Sequence, residues 1–236
     1  MGSRIDRRAA LTAFALRVLG ILLALAIVTG LAGLAVRAWA PGLDLQTMQA
    51  IANTRDGTIT SIAGIVSDAG SFVLLAPLSI AFLLLRRWKR PADDIALLVI
   101  AAGSAVLPIV VKLIVARPRP TIGALSHLTS LSFPSEHTTQ AAAIYLTIAV
   151  MLSKGLPRGW RALAMVLAIT IGLGVAWSRV YLGAHYPTDV AAGLLLGWSW
   201  ALLVFHWARP KLIEDQPKLG QVNPPPRPSA ARGDGG

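Results

Sequence analysis

The sequence predicts an all-α integral membrane protein, a bundle of about six transmembrane helices. Three observations predict it. Of 236 residues, 55% are hydrophobic and only 14% are charged, where a soluble domain carries about 25% charged residues. Apolar runs near the roughly 20 residues that cross a bilayer recur along the chain. The Lys and Arg residues, finally, concentrate on alternate connections between those runs. The net charge of +11 would suggest nucleic acid in a soluble chain; here topology explains it, and no nucleic-acid partner is expected. The chain has no cysteine, which excludes disulfides, thiolate catalysis and cysteine-ligated metals.

The first run, Leu11–Val36, follows Arg4, Arg7 and Arg8 and is interrupted only by Arg17, which can snorkel from near the inner end. Ala38-Trp39-Ala40 looks like a small-x-small cleavage site. The run is much longer than the roughly 7–15 apolar residues of a secretory signal, so it reads as a retained anchor. Between Pro41 and Ser61 the loosely helical spacing of Met48, Ile51 and Ile62 suggests a short interfacial helix. Spans two and three, Ile62–Leu85 and Ile95–Val115, contain Pro77 and Pro108, which predict kinks. Ser135–Leu152 and Trp160–Trp177 are shorter, and Val190–Trp207 is the sixth span. No internal repeat is evident. Residues 1–209 thus form one membrane domain. Residues 210–236, rich in Pro, Gly and charge, read as a disordered cytoplasmic tail.

The positive-inside rule orients the bundle with both termini in the cytoplasm. Only Arg37, Arg55, Lys112, Arg117, Arg119 and Arg179 then fall outside, with Arg17 inside the first span and every other Lys and Arg within the cell. The expected location is a bacterial-type inner membrane.

Three polar segments remain, all at the outer face. They are Lys112-Leu-Ile-Val-Ala-Arg117-Pro118-Arg119-Pro120, Phe133-Pro134-Ser135-Glu136-His137, and Ser178-Arg179 followed by His185-Tyr186-Pro187-Thr188-Asp189. Lys112, Arg119 and Arg179 suit a tetrahedral dianion: Arg offers a planar fork for two phosphate oxygens and Lys a point charge. Ser135 opens a helix, whose free N–H groups and dipole favour phosphate. His185 and Asp189 are four apart, so the carboxylate can fix the imidazole tautomer and free the other nitrogen for attack. His137 is then available to protonate a leaving oxygen. Singly, each residue has a plainer reading, such as interfacial anchor, polar turn or helix-start charge. Their convergence in alternate loops favours one shared phosphate site.

The ordered triplet Lys-x6-Arg-Pro, Pro-Ser-x-His and Ser-Arg-x5-His-x3-Asp resembles the type-2 phosphatidic acid phosphatase family, related to vanadium haloperoxidases. The resemblance covers nearly the whole chain except the tail. It implies that Lys112, Arg119 and Arg179 bind phosphate with help from Ser135. It also implies that His185 is the nucleophile, oriented by Asp189, and that His137 is the general acid. No metal or cofactor is implied, because the cations stabilise the transferring phosphoryl group. One position departs from the pattern: Glu136 stands where the family has glycine. The Glu136 backbone N–H can still donate to phosphate, so Glu136 stays among the phosphate-binding residues, but its carboxylate must point away, pair with a cation or take up a proton; pairing with an arginine, Arg117 for instance, is the expected solution. Arg117 itself lies outside the motif and reads as an anchor.

The implied substrate is a lipid phosphate or diphosphate, its chain in the bilayer and its head group at the outer face. Undecaprenyl diphosphate fits first, then phosphatidylglycerophosphate or phosphatidate, then other prenyl or sugar-lipid phosphates. Two other classes are weighed against this. A transporter would use His185 and Asp189 as a proton relay but place its ligand near the midplane. A membrane cytochrome would use His137 and His185 as haem ligands, which leaves the three cations unexplained.

Overall fold

The computed structural model describes residues 2–87, 90–125 and 129–208; the tail predicted at 210–236 lies outside them. Every element among the described residues is helical. In order they are α1 (Gly2–Trp39), α2 (Pro41–Asn53), α3 (Gly57–Asp68), α4 (Phe72–Arg86), α5 (Pro91–Val115), α6 (Glu136–Ser153), α7 (Arg158–Tyr181) and α8 (Pro187–Leu203), ending in a π-helical turn at Val204–Ala208. Four are long and apolar enough to cross a membrane, and the bent pair α3–α4 makes a fifth if it is one span. The protein is a multi-pass membrane protein.

The predicted fourth crossing, α6, is the axis of the bundle, packed against α5, α7 and α8. Its lower apolarity has a cause. Thr138, Thr139, Gln140 and Thr147 are buried and face helices rather than lipid. Ala141, Ala142 and Ala143, all buried, let those neighbours approach closely. Beside α6 the core is filled by Ile100, Leu107, Val111, Phe133, Leu196 and Trp200, and Trp200 Nε1 donates to the Ile100 carbonyl at 3.0 Å.

Span two departs from expectation. Its helix continues through Pro77, as α5 does through Pro108, and the 47° bend lies between Asp68 and Phe72. Tertiary packing sets the break. A Cβ on Gly70 would come within 2.8 Å of the His137 carbonyl and 2.6 Å of Val175, Tyr145 donates to the Ala69 carbonyl at 3.0 Å, and Ser71 caps the restarted helix through Leu74.

The outer segment does form a helix, α2, with Asp44 and Met48 buried. Asp56 then caps α3 by accepting from Thr58 (2.8 Å) and Ile59 (3.2 Å). Arg55 ties this corner to the far side of the site, donating to the carbonyls of Tyr181 and Gly123. Two helix ends also run past their hydropathic limits: α7 continues beyond Trp177 to carry Ser178 and Arg179, and α8 starts at Pro187 and so includes Asp189.

Candidate active site

The three polar segments converge. Lys112 sits in the last turn of α5, Arg179 in the last turn of α7 and Asp189 in the first turn of α8. After Val115 the chain leaves α5 through Ala116 in the left-handed region (φ 47), and Arg37 donates to the carbonyls of Val115 (2.8 Å) and Ala116 (3.2 Å), satisfying acceptors a helix end leaves open. Arg117 and Arg119 follow. Gly183 (φ +72) makes the turn after α7; a Cβ there would meet the Gly123 carbonyl at 2.2 Å, so only glycine fits.

Arg119 donates from Nε to the Ser130 carbonyl (2.8 Å), from Nη2 to Ser130 Oγ (2.7 Å) and from Nη1 to the Ala184 carbonyl (2.7 Å). Its Nη1 also lies 3.1 Å from His185 Nε2. A guanidinium can only donate, so Nε2 is the acceptor and the neutral ring keeps its proton on Nδ1. That nitrogen faces Asp189 Oδ2 at 3.5 Å. The separation is too long for a normal hydrogen bond, and Nδ1 has none among the described residues; Asp189 acts on the ring by charge. Burial, opposed by Asp189, pulls the His185 pKa down to about 4, so the ring is neutral.

The remaining predicted residues fall around this pair. Arg179 donates to Ser67 Oγ at 2.7 Å, and its Nε, buried, has no hydrogen-bond partner among the described residues. His137, half-buried at the start of α6, lies within electrostatic reach of Arg179, His185, Glu136 and Arg119. Burial also lowers the Arg119 pKa, against the pull of Glu136 and Asp189. Ser135 is fully buried; its hydroxyl accepts from Thr138 (3.0 Å) and its N–H donates to the Asp189 carbonyl (3.1 Å), so it joins the starts of α6 and α8. A cavity of about 450 Å³ adjoins the Arg119 side, lined among others by Thr121, Thr129, Ser130, Gly183 and Ala184.

Two expectations are corrected. Glu136 pairs with Lys112, Nζ to Oε1 at 2.6 Å, and not with Arg117: one helical turn before its end α5 aims Lys112 at the start of α6, while Arg117 points elsewhere. Nor is Arg117 an interfacial anchor. It is 4% exposed and bonds Asp189 Oδ1 (2.7 Å), Thr188 Oγ1 (2.8 Å) and Asp44 Oδ2 (2.6 Å). Asp44, Thr188 and Ser67 were absent from the sequence-derived site. Asp44 left a faint signal, as one of few charges in an apolar outer segment; Ser67 left none, being one hydroxyl in a membrane helix.

With this geometry in place, comparison with known proteins decides the family: the model described as PAP2 superfamily matches residues 94–213. The chain belongs to the PAP2 superfamily. Among solved PAP2 structures it is similar to the transmembrane PAP2 type phosphatidylglycerolphosphate phosphatase from Bacillus subtilis, with a TM-score of 0.67 and 27% identity, covering 78% of this chain and 94% of that one. It is also similar to Aquifex aeolicus LpxE, with a TM-score of 0.58, 27% identity and 70% and 96% coverage. By sequence it is 37% identical to phosphatidylglycerophosphatase B of Bacillus subtilis over 47% of this chain and 55% of the relative. It is 31% identical to undecaprenyl-diphosphatase BcrC of the same organism over 44% and 51%. The chain thus spans about half the length of these curated relatives.

Proposed function

We propose that this PAP2 protein is a lipid phosphatase that hydrolyses a lipid phosphate or diphosphate through a phosphohistidine, its site facing the extracytoplasmic side of a bacterial inner membrane. The observation that carries the reading is the state of His185. Its Nε2 lone pair points at Arg119, its Nδ1 faces Asp189, and burial keeps the ring neutral.

A phosphate entering between Arg119, Arg179 and Lys112 replaces the contacts those cations now make. The Nε2 lone pair forms the P–N bond as the P–O bond to the lipid breaks, and a proton brought in by the substrate's acidic phosphate passes through His137 to the departing oxygen. The positive charge left on the ring is stabilised by Asp189. Water, giving a proton back to His137, then cleaves the P–N bond and releases inorganic phosphate. Lys112, Arg119 and Arg179 balance charge on the transferring group throughout, so no metal is required.

Undecaprenyl diphosphate is the leading substrate, since a long apolar chain can stay in the bilayer while its diphosphate enters from the outer face. The reading draws support from the undecaprenyl-diphosphatase named among the relatives. Phosphatidylglycerophosphate is the second reading, favoured by the phosphatase similar to this chain in both sequence and structure. A transporter fits less well, because the charged groups lie at helix ends. So does a haem protein, because Arg119 occupies the space before Nε2 where an axial ligand would meet iron.

The test is phosphate release by purified protein in detergent with EDTA, comparing undecaprenyl diphosphate, phosphatidylglycerophosphate and phosphatidate. Wild-type release with EDTA present, falling about a thousandfold or more in His185→Ala, is expected, and the fastest lipid identifies the substrate. Near-normal turnover by His185→Ala would dismiss the nucleophile.

A further inference from the structure

Behind the catalytic pair lies a buried charge network that the PAP2 motifs do not include. Asp44, on α2, is 1% exposed, Arg117 is 4% exposed and Asp189 is fully buried. Arg117 bridges the two carboxylates, Nη2 to Asp44 Oδ2 at 2.6 Å and Nη1 to Asp189 Oδ1 at 2.7 Å. Asp44 also accepts from the Thr188 N–H (3.1 Å) and the Thr188 hydroxyl (2.5 Å). Asp189 Oδ2 accepts from the Tyr186 N–H at 3.0 Å, and the Arg117 guanidinium lies 4.0 Å from the centre of the Tyr186 ring. Asp44 stands outside the segment matched by the family, residues 94–213.

We propose that Asp44 and Arg117 are positioning residues that set the orientation and net charge of Asp189, and through it the reactivity of His185. The proposal rests on the reading of His185 as nucleophile.

Orientation comes from the bonds. With Oδ1 held by Arg117 and Oδ2 by the Tyr186 N–H, the Asp189 carboxylate cannot rotate, and Oδ2 stays turned to Nδ1. Charge comes from the count. Each carboxylate here is surrounded by donors and acts only as acceptor, so Asp44 and Asp189 are anionic and Arg117 is cationic. The trio carries one net negative charge, which faces the ring. Arg117 alone would cancel Asp189 and leave nothing to stabilise a phosphorylated imidazole. Asp44 prevents that cancellation. A buried arginine bonded to a catalytic carboxylate is tolerable here because a second carboxylate neutralises it.

The other charged or titratable groups around His185 are Arg119 beside Nε2, Arg179 at the end of α7, His137 and Glu136 at the start of α6, and Lys112 bonded to Glu136. None of them changes in the variants that test the proposal, so any shift between variants reads the trio.

The experiment measures kcat/KM against pH for wild type, Asp44→Asn, Arg117→Gln and the double variant. Phosphate release is followed from undecaprenyl diphosphate or phosphatidylglycerophosphate, whichever the wild type turns over faster. The acid limb of kcat/KM reports protonation of the free enzyme. Asp44→Asn removes a negative charge and is expected to move the limb to lower pH. Arg117→Gln removes a positive charge and is expected to move it to higher pH, by about one unit. The double variant restores one net negative charge and should bring the limb back to the wild-type position. In both single variants kcat should fall on the order of tenfold to a hundredfold, as for other residues that orient a catalytic group, with KM nearly unchanged. Should Asp44→Asn fail to fold, Arg117→Gln and the double variant carry the same test. Limbs that stay in place, or that move the same way in both single variants, overturn the proposal while leaving the nucleophile intact. Activity surviving in His185→Ala fails the nucleophile reading itself, and is distinguishable because that variant touches neither Asp44 nor Arg117.

Discussion

Helix α5 has a buried acidic and basic cluster near each end, and the two are built differently. Beyond its C-terminal end Arg117 grips Asp44 and Asp189 at 2.6 and 2.7 Å, with Thr188 and Tyr186 supplying further donors. At the N-terminal end Asp93 and Asp94 lie in the first turn of α5, both fully buried. There Lys154 makes one short bond to Asp93 (2.6 Å), while Arg86 stands 3.9 Å from Asp93 and 3.5 Å from Asp94. Neither Asp94 oxygen has a hydrogen bond among the described residues. Long contacts attract without direction. They suit a cluster that only has to hold charges at a helix N-terminus, where the dipole already favours carboxylates. Short bonds from several elements fix an orientation, which matters only where a side chain must be aimed. Residue type alone does not separate the two clusters; the reach of their arginines does, 2.6 and 2.7 Å for Arg117 against 3.9 and 3.5 Å for Arg86.

The sharpest way to break this comparison is activity. Arg119→Ala is expected to cut turnover about a hundredfold to a thousandfold, the effect of removing a donor aimed at developing charge, whereas Arg86→Ala should leave phosphate release nearly unchanged. Stability should divide the clusters next. Arg117→Ala leaves two buried carboxylates facing each other and is expected to cost about 3–5 kcal/mol in detergent unfolding; Arg86→Ala, which removes contacts of 3.9 and 3.5 Å and leaves Lys154 on Asp93, should cost less. Equal losses would mean that distance is no guide to the role of a buried pair in this fold.

Glu136 offers a finer test. Its carboxylate holds Lys112, so Glu136→Gly should free that cation and tighten inhibition by inorganic phosphate about tenfold, the worth of one charge-assisted bond. The pH dependence of folding sharpens the outer site further. The His185 pKa, near 6.5 ordinarily, falls to about 4 in the folded protein. Above about pH 6.5 neither folded nor unfolded His185 binds a proton, so the shift has no effect on stability there. As pH falls from about 6.5 towards 4 the unfolded chain takes up a proton that the folded one refuses, and stability declines. His185→Asn should remove that part of the slope, read as the change in Tm between pH 7 and pH 5. The smallest effect belongs to Ala116, which adopts φ 47 at the end of α5. Ala116→Gly should raise stability by about 1 kcal/mol, since glycine meets no Cβ penalty in that region.

Hydropathy located the membrane helices but cut two of them short, and both cuts fell at the site. The apolar run of α7 stops at Trp177, and that of α8 begins at Val190. The helices reach on to Tyr181 and back to Pro187, because their polar ends are buried in the protein, Arg179 bonded to Ser67 and Asp189 to Arg117, instead of facing lipid. The bend in span two was placed at Pro77, where the backbone lacks a donor. It lies instead at Gly70, where the packing of His137 and Val175 leaves no room for a side chain. A proline is visible in sequence; a close approach from another helix is not.

The sequence by itself determined the membrane bundle, the order of its apolar helices and the three polar segments between them. It also marked Lys112, Arg119, Arg179, His137, His185 and Asp189, because apolar length and motif spacing are properties of local chain. Only the tertiary structure decided which charges meet. Arg117 and Asp44 are 73 residues apart, and nothing near either residue specifies the other. The pairing follows from how α2 packs against α7 and α8, beside the turn that carries Arg117. Once buried there, an arginine and two carboxylates are stable only in one another's company.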